Sequence, residues 1–168
     1  MIGRMTTAYL ALGSNLDSDL GDRKGHLEAA CAMLDATSGV KIAAVSSFIE
    51  NPSVGGPADA PDFLNGVAAI ETDLPPRELL EVCLMIERAR GRERTGEANA
   101  PRTLDVDVLL YGDQVIHEDG LVVPHPRLHK RRFVLKPLAE IAPELVHPTI
   151  GKTMSELLDS IDNSEAEG

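Results

Sequence analysis

The first third of the chain shows two periodicities, one typical of strands and one typical of a helix. Residues 6–12 form an apolar run that ends at a Gly-Ser-Asn turn signal, which predicts a first strand. Residues 40–49 alternate loosely between apolar and polar side chains and indicate a second strand. Between them, from residue 23 to 36, apolar positions recur at the i, i+3, i+4, i+7 spacing of an amphipathic helix: Leu27, Ala30, Cys31 and Leu34.

The middle of the chain adds another strand, a helix and two loops. Residues 50–62 hold three prolines and two glycines, so we predict a loop longer than a simple hairpin needs. Residues 63–72 predict a further strand. The two prolines at 75–76 open a helix, since proline is tolerated in a first helical turn. That helix ends before a second glycine-bearing loop at 91–101, which leads into an apolar strand.

The predicted order is β-α-β-β-α-β, the ferredoxin-like arrangement of an α+β fold, with one antiparallel sheet and both helices on one face. The opposite face is then free to bind a ligand. We expect the 168 residues to form a single domain, because the chain is too short for two ordinary ones. After this core we predict short strands near 113–116 and 120–123, helices near 134–141 and 153–160, and a frayed tail after about residue 161.

Two acidic residues interrupt the apolar strand after the second loop. Side chains alternate along a strand, so Asp105 and Asp107 share one face, with Cβ atoms about 6–7 Å apart. The other face takes the apolar residues Leu104, Val106, Val108 and Leu110. Two carboxylates this close repel each other unless a cation lies between them. Such a pair favours Mg²⁺ bound together with substrate phosphates, although an ordinary solvent-facing strand carries the same pattern.

The charges change this picture in one respect. A net charge of −11 argues against a general nucleic-acid binder. Nine of the 16 Lys and Arg nevertheless fall in two short stretches, at Arg88, Arg90, Arg92, Arg94, Arg102, Arg127, Lys130, Arg131 and Arg132. A basic island on an acidic protein indicates a site for a small polyanion, or else a solvated helix end followed by a basic turn. No Gly-x-x-x-x-Gly-Lys-Ser/Thr motif is present, so side chains would have to hold the phosphates.

The remaining composition concerns location. No apolar run approaches the roughly 20 residues of a membrane helix, and the start of the chain fits a strand better than a signal peptide. Cys31 and Cys83 lack metal-ligand spacing and are expected to be free thiols in a reducing compartment. We therefore expect a cytoplasmic protein with no membrane partner.

Four segments carry a resemblance to a known family. They are GSNL at 13–16, PDFLN at 61–65, PRTLDVDVLLYG at 101–112 and PHPRLHKRRFVLKPLAEIAPEL at 124–145. In this order and spacing the chain resembles the 6-hydroxymethyl-7,8-dihydropterin pyrophosphokinases over about residues 8–158. The resemblance implies a ferredoxin-like fold and transfer of pyrophosphate from ATP to the pterin's hydroxymethyl oxygen, leaving AMP. It also implies two Mg²⁺ ions between the aspartate pair and the ATP phosphates, and a monomeric enzyme of folate biosynthesis.

The same resemblance implies a role for particular residues. The catalytic residues would be Arg94, Arg102, Asp105 and Asp107, of which Asp105 and Asp107 would also be the metal ligands. The ATP-binding residues would be Glu87, Arg94, Arg102, His125 and Arg131. The pterin-binding residues would be Asn51, Pro52, Val54, Phe63, Asn65 and Phe133. The chain departs from the family pattern at Asn51, Leu84, Asn99 and Pro126.

The residues themselves agree with the implied pterin pocket. A flat heterocycle needs stacking faces and a few fixed polar groups. Phe63 and Asn65 share a strand face, so one can stack while the other forms hydrogen bonds. The alternatives are that Phe63 and Phe133 are core residues and that His125 is a turn histidine. No role is predicted for the other histidines, His26, His117, His129 and His147.

Three other classes of protein remain as alternatives. A ferredoxin-like regulator would bind ATP without turning it over, and a metal-dependent phosphohydrolase would use the same aspartates with water as nucleophile. An RNA-recognition module would need a basic sheet face, which the net charge disfavours. Product analysis of ATP with and without the pterin separates the first two from a pyrophosphokinase.

Overall fold

The computed structural model describes residues 5–51, 62–91 and 103–167, with the side chains of 164–167 left aside. The strands in chain order are β1 (Thr6–Ser14), β2 (Val40–Val45), β3 (Ile49–Asn51), β4 (Phe63–Thr72), β5 (Asp105–Tyr111), β6 (Ile116–Glu118) and β7 (Leu121–Val123). The helices are α1 (Arg23–Asp35), α2 (Pro76–Ala89), α3 (Arg132–Ile141) and α4 (Met154–Glu167). No helix within these ranges is long and apolar enough to cross a membrane.

The main sheet has the strand order β2-β4-β1-β5, and β3 adds to β4 beside β2. Its pairings are antiparallel, and β1 lies at the centre between β4 and β5. This is the predicted β-α-β-β-α-β order. The strand predicted at 40–49 is wrong in one respect, because it is broken into β2 and β3. The hydroxyl and the N–H of Ser47, in the break, both donate to the Glu140 carboxylate of α3 instead of continuing the ladder.

Helices α1 and α2 cover one face of the sheet, as predicted. Their buried residues Leu27, Leu34, Leu79, Cys83 and Ile86 pack against Leu10, Leu12, Ile70 and Val106 of the strands. The ends of both helices follow local chemistry: Asp22 accepts a hydrogen bond from the Gly25 N–H at the start of α1, and Pro76 occupies the first turn of α2. This layer fixes which strand residues face the helices and which face away.

The prediction that the opposite face is free is wrong for part of that face. Helices α3 and α4 pack there, and Val134, Leu135, Leu138, Met154 and Leu157 form a second apolar cluster with Val67, Leu109 and Leu110 of the sheet. The apolar stripe of α3 needs a partner, and the apolar end of this face supplies it. The polar end of the same face carries Gly13, Asn65 and Asp105.

Leu110 of β5 faces the opposite side of the sheet from the side that was predicted. Leu104, Val106 and Val108 join the core under α1 and α2 as expected, whereas Leu110 belongs to the second cluster. The β1–β5 register shifts between Tyr9 and Leu10, so an extra residue of β5 is accommodated there. Such a bulge reverses the facing of every residue beyond it.

The C-terminal elements differ from their predictions mainly at their ends. β6 begins at Ile116, later than the strand predicted near 113–116, and α3 begins two residues before its predicted start. Helix α4 continues to Glu167, and the fraying predicted after about residue 161 stays a prediction. In its first turn, Thr153 and Glu156 exchange reciprocal hydrogen bonds, a capping arrangement that favours the helix.

Candidate active site

A row of paired residues across the sheet joins the two halves of the predicted site. Gly13 of β1 pairs with Asp105 of β5 on one side and with Asn65 of β4 on the other. Residues that pair directly share a sheet face, so the three lie side by side on the face turned away from α1 and α2. Two strand spacings of roughly 4.8 Å separate the backbones of Asp105 and Asn65.

We call the face of the sheet around Ala11 and Gly13 the trough, because the central strand β1 carries only small side chains there. On β1 only Ala11 and Gly13 face it, and these are the two smallest residue types. Larger side chains stand on either side, with Asp105 and Asp107 on β5 and Phe63 and Asn65 on β4. The trough therefore has acidic groups along one side and an aromatic ring with an amide along the other.

The acidic side suits a hard cation that is also bound by a ligand. Asp105 is half-buried, Asp107 is exposed, and both belong to one face of β5. Within residues 5–51, 62–91 and 103–167 no three His, Cys, Asp or Glu side chains come together as a complete metal site. Mg²⁺ is commonly held by one or two carboxylates and completes its coordination with water and substrate phosphates. The pair thus fits Mg²⁺ that arrives with a nucleotide.

The opposite side of the trough contains an unsatisfied polar atom. The Oδ1 atom of Asn65 is buried and has no hydrogen-bond partner among the described residues, in a side chain that is only half-buried overall. A buried acceptor without a donor is costly, and a ligand N–H would remove that cost. Phe63, beside it, belongs to neither apolar cluster, which favours a ligand-facing ring over a core residue. Asn51 pairs with Phe63 at the end of β3.

The third pterin-side residue, Phe133, lies in the first turn of α3. Its ring packs at the margin of the second apolar cluster and is half-buried. The guanidinium carbon of Arg131 lies 5.5 Å from the centre of this ring, within the range of a cation–π contact. Helix α3 contacts β3 and β4, the strands that carry Asn51 and Phe63. The structure therefore connects an expected phosphate-binding arginine directly to an expected pterin-stacking ring.

His125 is attached to the aspartate strand. The backbone N–H of His125 donates to the Leu109 carbonyl of β5 at 2.9 Å. The Nδ1 atom of its ring accepts from the backbone N–H of Arg127 at 3.2 Å. Burial, and then the positive charges of Arg131 and Arg127, lower the pKa of the imidazole from 6.5. The ring is therefore neutral at physiological pH. With Nδ1 as acceptor, the proton resides on Nε2, which is left to donate.

Glu87 is buried beneath the aspartate strand. Its side chain is 3% exposed, and Oε2 accepts a hydrogen bond of 2.9 Å from the N–H of Val106. Val106 lies between Asp105 and Asp107, so this carboxylate holds the backbone that presents them. The residue predicted to bind ATP thus contacts the segment that carries the predicted metal ligands.

Four predicted site residues lie outside the described residues. They are Pro52, Val54, Arg94 and Arg102, and their roles remain predictions.

Sequence reasoning missed two polar groupings beside the site. Arg23 forms a bidentate pair with Glu50 at 2.7 Å and also donates to the Asp62 carbonyl, so it joins the two described ends of the first loop. His26, given no role, is fully buried, where it accepts from Arg90 Nε at 3.1 Å and contacts the Ser18 hydroxyl. Neither grouping has a local sequence motif, since its members are far apart in the chain.

Comparisons with known proteins concern the family and the fold of this chain. The family model described as 7,8-dihydro-6-hydroxymethylpterin-pyrophosphokinase (HPPK) matches residues 9–143. A 2-amino-4-hydroxy-6-hydroxymethyldihydropteridine pyrophosphokinase of Methylorubrum extorquens is 45% identical over 163 residues, which cover 97% of this chain and 98% of the relative. The protein of the same name from Haemophilus influenzae is 44% identical over 147 residues, 86% of each chain.

Solved structures support the fold. A Plasmodium falciparum HPPK-DHPS structure with pteroate superposes on 99% of this chain with a TM-score of 0.75 at 16% identity. The chain spans 44% of the length of that longer protein. At this identity the likeness concerns the fold, which is the ferredoxin-like arrangement.

Proposed function

The chain belongs to the 7,8-dihydro-6-hydroxymethylpterin-pyrophosphokinase family, and we propose which of its residues perform the family's reaction. The protein is an enzyme of folate biosynthesis that transfers pyrophosphate from ATP to the hydroxymethyl group of 6-hydroxymethyl-7,8-dihydropterin. AMP is the other product. The two substrates bind on opposite sides of the trough.

The observation that carries the assignment is the row Asp105–Gly13–Asn65. The acidic side faces the triphosphate and would hold the metal that accompanies it, and the aromatic and amide side binds the pterin. The two aspartates and Asn65 are held on the two strands that flank β1 in one sheet, so the substrates meet at a spacing set by hydrogen-bonded backbone. Positioning of this kind accounts for most of the catalysis in phosphoryl transfer.

On the acidic side, Asp105 and Asp107 hold Mg²⁺, with two ions as the proposed number. A metal held by these two residues would supply positive charge to the triphosphate. Glu87 contributes through the Val106 N–H, which fixes the strand between the two ligands. Arg94 and Arg102 bring positive charge to the phosphates from the second loop, and both are assigned from the family resemblance.

Two further groups serve the nucleotide. Arg131 is half-buried and lies over Phe133, so its charge adjoins both substrates. Neutral His125 donates from Nε2 to a phosphate or ribose oxygen.

On the pterin side, Phe63 and Phe133 stack on the ring and Asn65 accepts from its N–H edge. Asn51, Pro52 and Val54 line the pocket near the end of β3. The hydroxymethyl oxygen then points past the Asn65 amide toward the phosphates. In-line attack on the β-phosphorus breaks the bond to the α-phosphate oxygen and releases AMP.

Separate titrations of the two substrates test this division. Asn65→Ala should weaken binding of the pterin at least tenfold, the effect of losing one hydrogen bond to a buried acceptor, and leave the affinity for a non-hydrolysable ATP analogue with Mg²⁺ nearly unchanged. Asp107→Asn should do the reverse. If each variant weakened both ligands equally, the two sides of the trough would not be separate subsites.

An ATP-binding regulator of the same fold is the second candidate. Such a regulator would not need the unsatisfied Oδ1 atom of Asn65 opposite the two aspartates. Membership of the pyrophosphokinase family also argues against this candidate. The monomeric state and the cytoplasmic location remain predictions.

A further inference from the structure

We propose that Gly13 sets the affinity for the pterin by keeping the space over β1 open for the amide of Asn65. This inference rests on the proposed function and adds a positioning residue to it. Gly13 itself offers no group to bind the substrate. Its role is to let Asn65 lie across the central strand, toward the aspartates.

The geometry at Gly13 is unusually close. A Cβ atom added there would lie 2.9 Å from Asn65 Nδ2 and 3.7 Å from Phe63 Cδ1. Both proposed pterin-binding side chains therefore already occupy the space above this residue. Asparagine has a short side chain, so its amide cannot move away without turning about χ1 or χ2.

The backbone does not require glycine at this position. Gly13 lies in a regular part of β1 and is not among the glycines with positive φ. An alanine is therefore compatible with the strand, and among the described residues the obstacle is the close contact with Asn65. A glycine inside a strand often marks a close approach by another group, and here that group is a site residue.

The consequence concerns the orphaned acceptor. Asn65 Oδ1 is buried and without a partner among the described residues, so its direction decides whether a pterin N–H can reach it. An added methyl group would turn the amide and move Oδ1 away from that direction. Loss of the hydrogen bond between a ligand N–H and this acceptor corresponds to roughly tenfold in affinity.

A double-mutant cycle tests the proposal. The variants are Gly13→Ala, Asn65→Ala and the pair together, and the measurement is the dissociation constant of 6-hydroxymethyl-7,8-dihydropterin in the presence of Mg²⁺ and a non-hydrolysable ATP analogue. We expect Gly13→Ala to weaken pterin binding roughly tenfold or more in the wild-type background, and by less than about twofold once Asn65 is already alanine. The affinity for the ATP analogue should change by less than about threefold throughout.

A matched control separates this effect from damage to the sheet. Gly66 of β4 is also tightly packed, but its added Cβ would meet Phe48 at 2.6 Å on the face under α1 and α2. Gly66→Ala should lower the midpoint of thermal unfolding without a selective loss of pterin binding. Gly13→Ala should show the opposite pattern.

Several results would overturn the proposal. They are unchanged pterin binding in Gly13→Ala, the same loss in the Asn65→Ala background, or equal weakening of both ligands. If Gly13→Ala does not fold, the double variant decides: recovery of folded protein supports the contact with Asn65, and an equally unfolded double variant refutes it. A wild-type protein that binds the nucleotide analogue but no pterin would instead refute the proposed function.

Discussion

At the scale of single residues, the site depends on what surrounds a few polar atoms. Asp105 and Asp107 lie two residues apart on one face of β5, so a cation bound there would contact two carboxylates. Asn65 Oδ1 has no partner among the described residues, although its neighbours Gly13 and Phe63 are closely packed. The unsatisfied acceptor costs stability in the absence of a ligand. An acidic pair and an unsatisfied acceptor are expected at a binding site rather than in a structural core.

Substitution of the aspartates tests the metal role. Asp105→Ala and Asp107→Ala should each lower kcat by about a hundredfold or more, since a metal supplies several kcal/mol of charge stabilisation. The free energy of unfolding without metal is measured in parallel, so that loss of the metal site is separated from loss of folding. Asp113→Ala, which removes an exposed acid just beyond the same strand, is the control and should keep full activity. Activity above about a tenth of wild type in both site variants would contradict the metal role.

A buried histidine predicts a pH dependence of stability. Burial, and then Arg90, lower the pKa of His26 from 6.5, against the opposing effects of Asp17, Asp22 and the Gly21 carbonyl. Below about pH 6.5 the unfolded chain binds a proton at this histidine, whereas the native state does not. The free energy of unfolding should therefore fall as pH drops from about 6.5 toward the lowered pKa of the native state. His125 and His147 shift in the same direction.

Urea unfolding between pH 7.5 and pH 5 measures this effect. His26→Gln should show a shallower loss of unfolding free energy than the wild type, because one of the three histidines no longer contributes. His117→Gln provides the comparison, since His117 is an exposed histidine on β6. An identical pH slope in wild type and His26→Gln would contradict the linkage.

At the scale of elements, β5 is held from both sides. It pairs with β1 along one edge, and Glu87 of α2 binds the Val106 N–H. The Leu109 carbonyl accepts from His125, so the segment before α3 is attached to the same strand. The aspartate pair is thereby fixed relative to both the helical layer and the nucleotide-binding segment.

The hydrogen bond from Val106 to Glu87 can be tested by a pair of substitutions. Glu87→Ala should lower the free energy of unfolding by about 1–3 kcal/mol, the cost of leaving a buried N–H unsatisfied. Glu87→Gln keeps a side-chain oxygen for that N–H and should cost less. The measurement is chemical denaturation at constant pH, read by circular dichroism. Equal losses in the two variants would show that the charge of Glu87, and not its bond to β5, is what matters.

Most elements could be predicted from the sequence because each has its own local pattern. β4 and α2 agree with their predictions nearly to the residue, since proline and glycine mark their ends. The bulge that turns Leu110 to the second cluster could not be predicted, because it depends on the β1–β5 register and not on either strand alone. The sequence also did not predict that α3 covers the second face of the sheet. The pattern of apolar residues shows that α3 has an apolar face, but not which part of the protein that face packs against.

The sequence predicts those parts of the site whose residues are close together in the chain. The pair Asp105 and Asp107 and the pair Phe63 and Asn65 each follow the two-residue period of a strand, and the structure places both pairs on one face. Gly13 was not predicted as a site residue because its importance depends on a neighbour 52 positions away, an interval set by pairing of β1 with β4. Long-range pairing of this kind leaves no signal in a local window.

At the scale of the whole molecule, one sheet separates two apolar layers. The first is made by α1 and α2, and the second by α3 and α4, which leave the polar end of their face to the trough. Lys41 places an exposed charged side chain on β2, at one edge of the sheet. At the other edge, Glu87 accepts the hydrogen bond of the Val106 N–H of β5. Both features oppose pairing with a second copy.

Light scattering during size-exclusion chromatography tests this expectation. A monomer of 18.0 kDa is predicted at micromolar concentration, with and without both substrates. A mass of twice that value, stable on dilution, would show that an edge or the trough is used as an interface between copies.

The central claim is that the trough brings the pterin hydroxymethyl group to the β-phosphorus of ATP. Its most direct test is chromatography of the nucleotides after incubation of the protein with ATP, Mg²⁺ and 6-hydroxymethyl-7,8-dihydropterin, with parallel incubations that omit the pterin or the metal. The predicted result is AMP in equal amount with pterin diphosphate, and only when all three components are present. ADP as the main product, or loss of ATP without the pterin, would contradict the account.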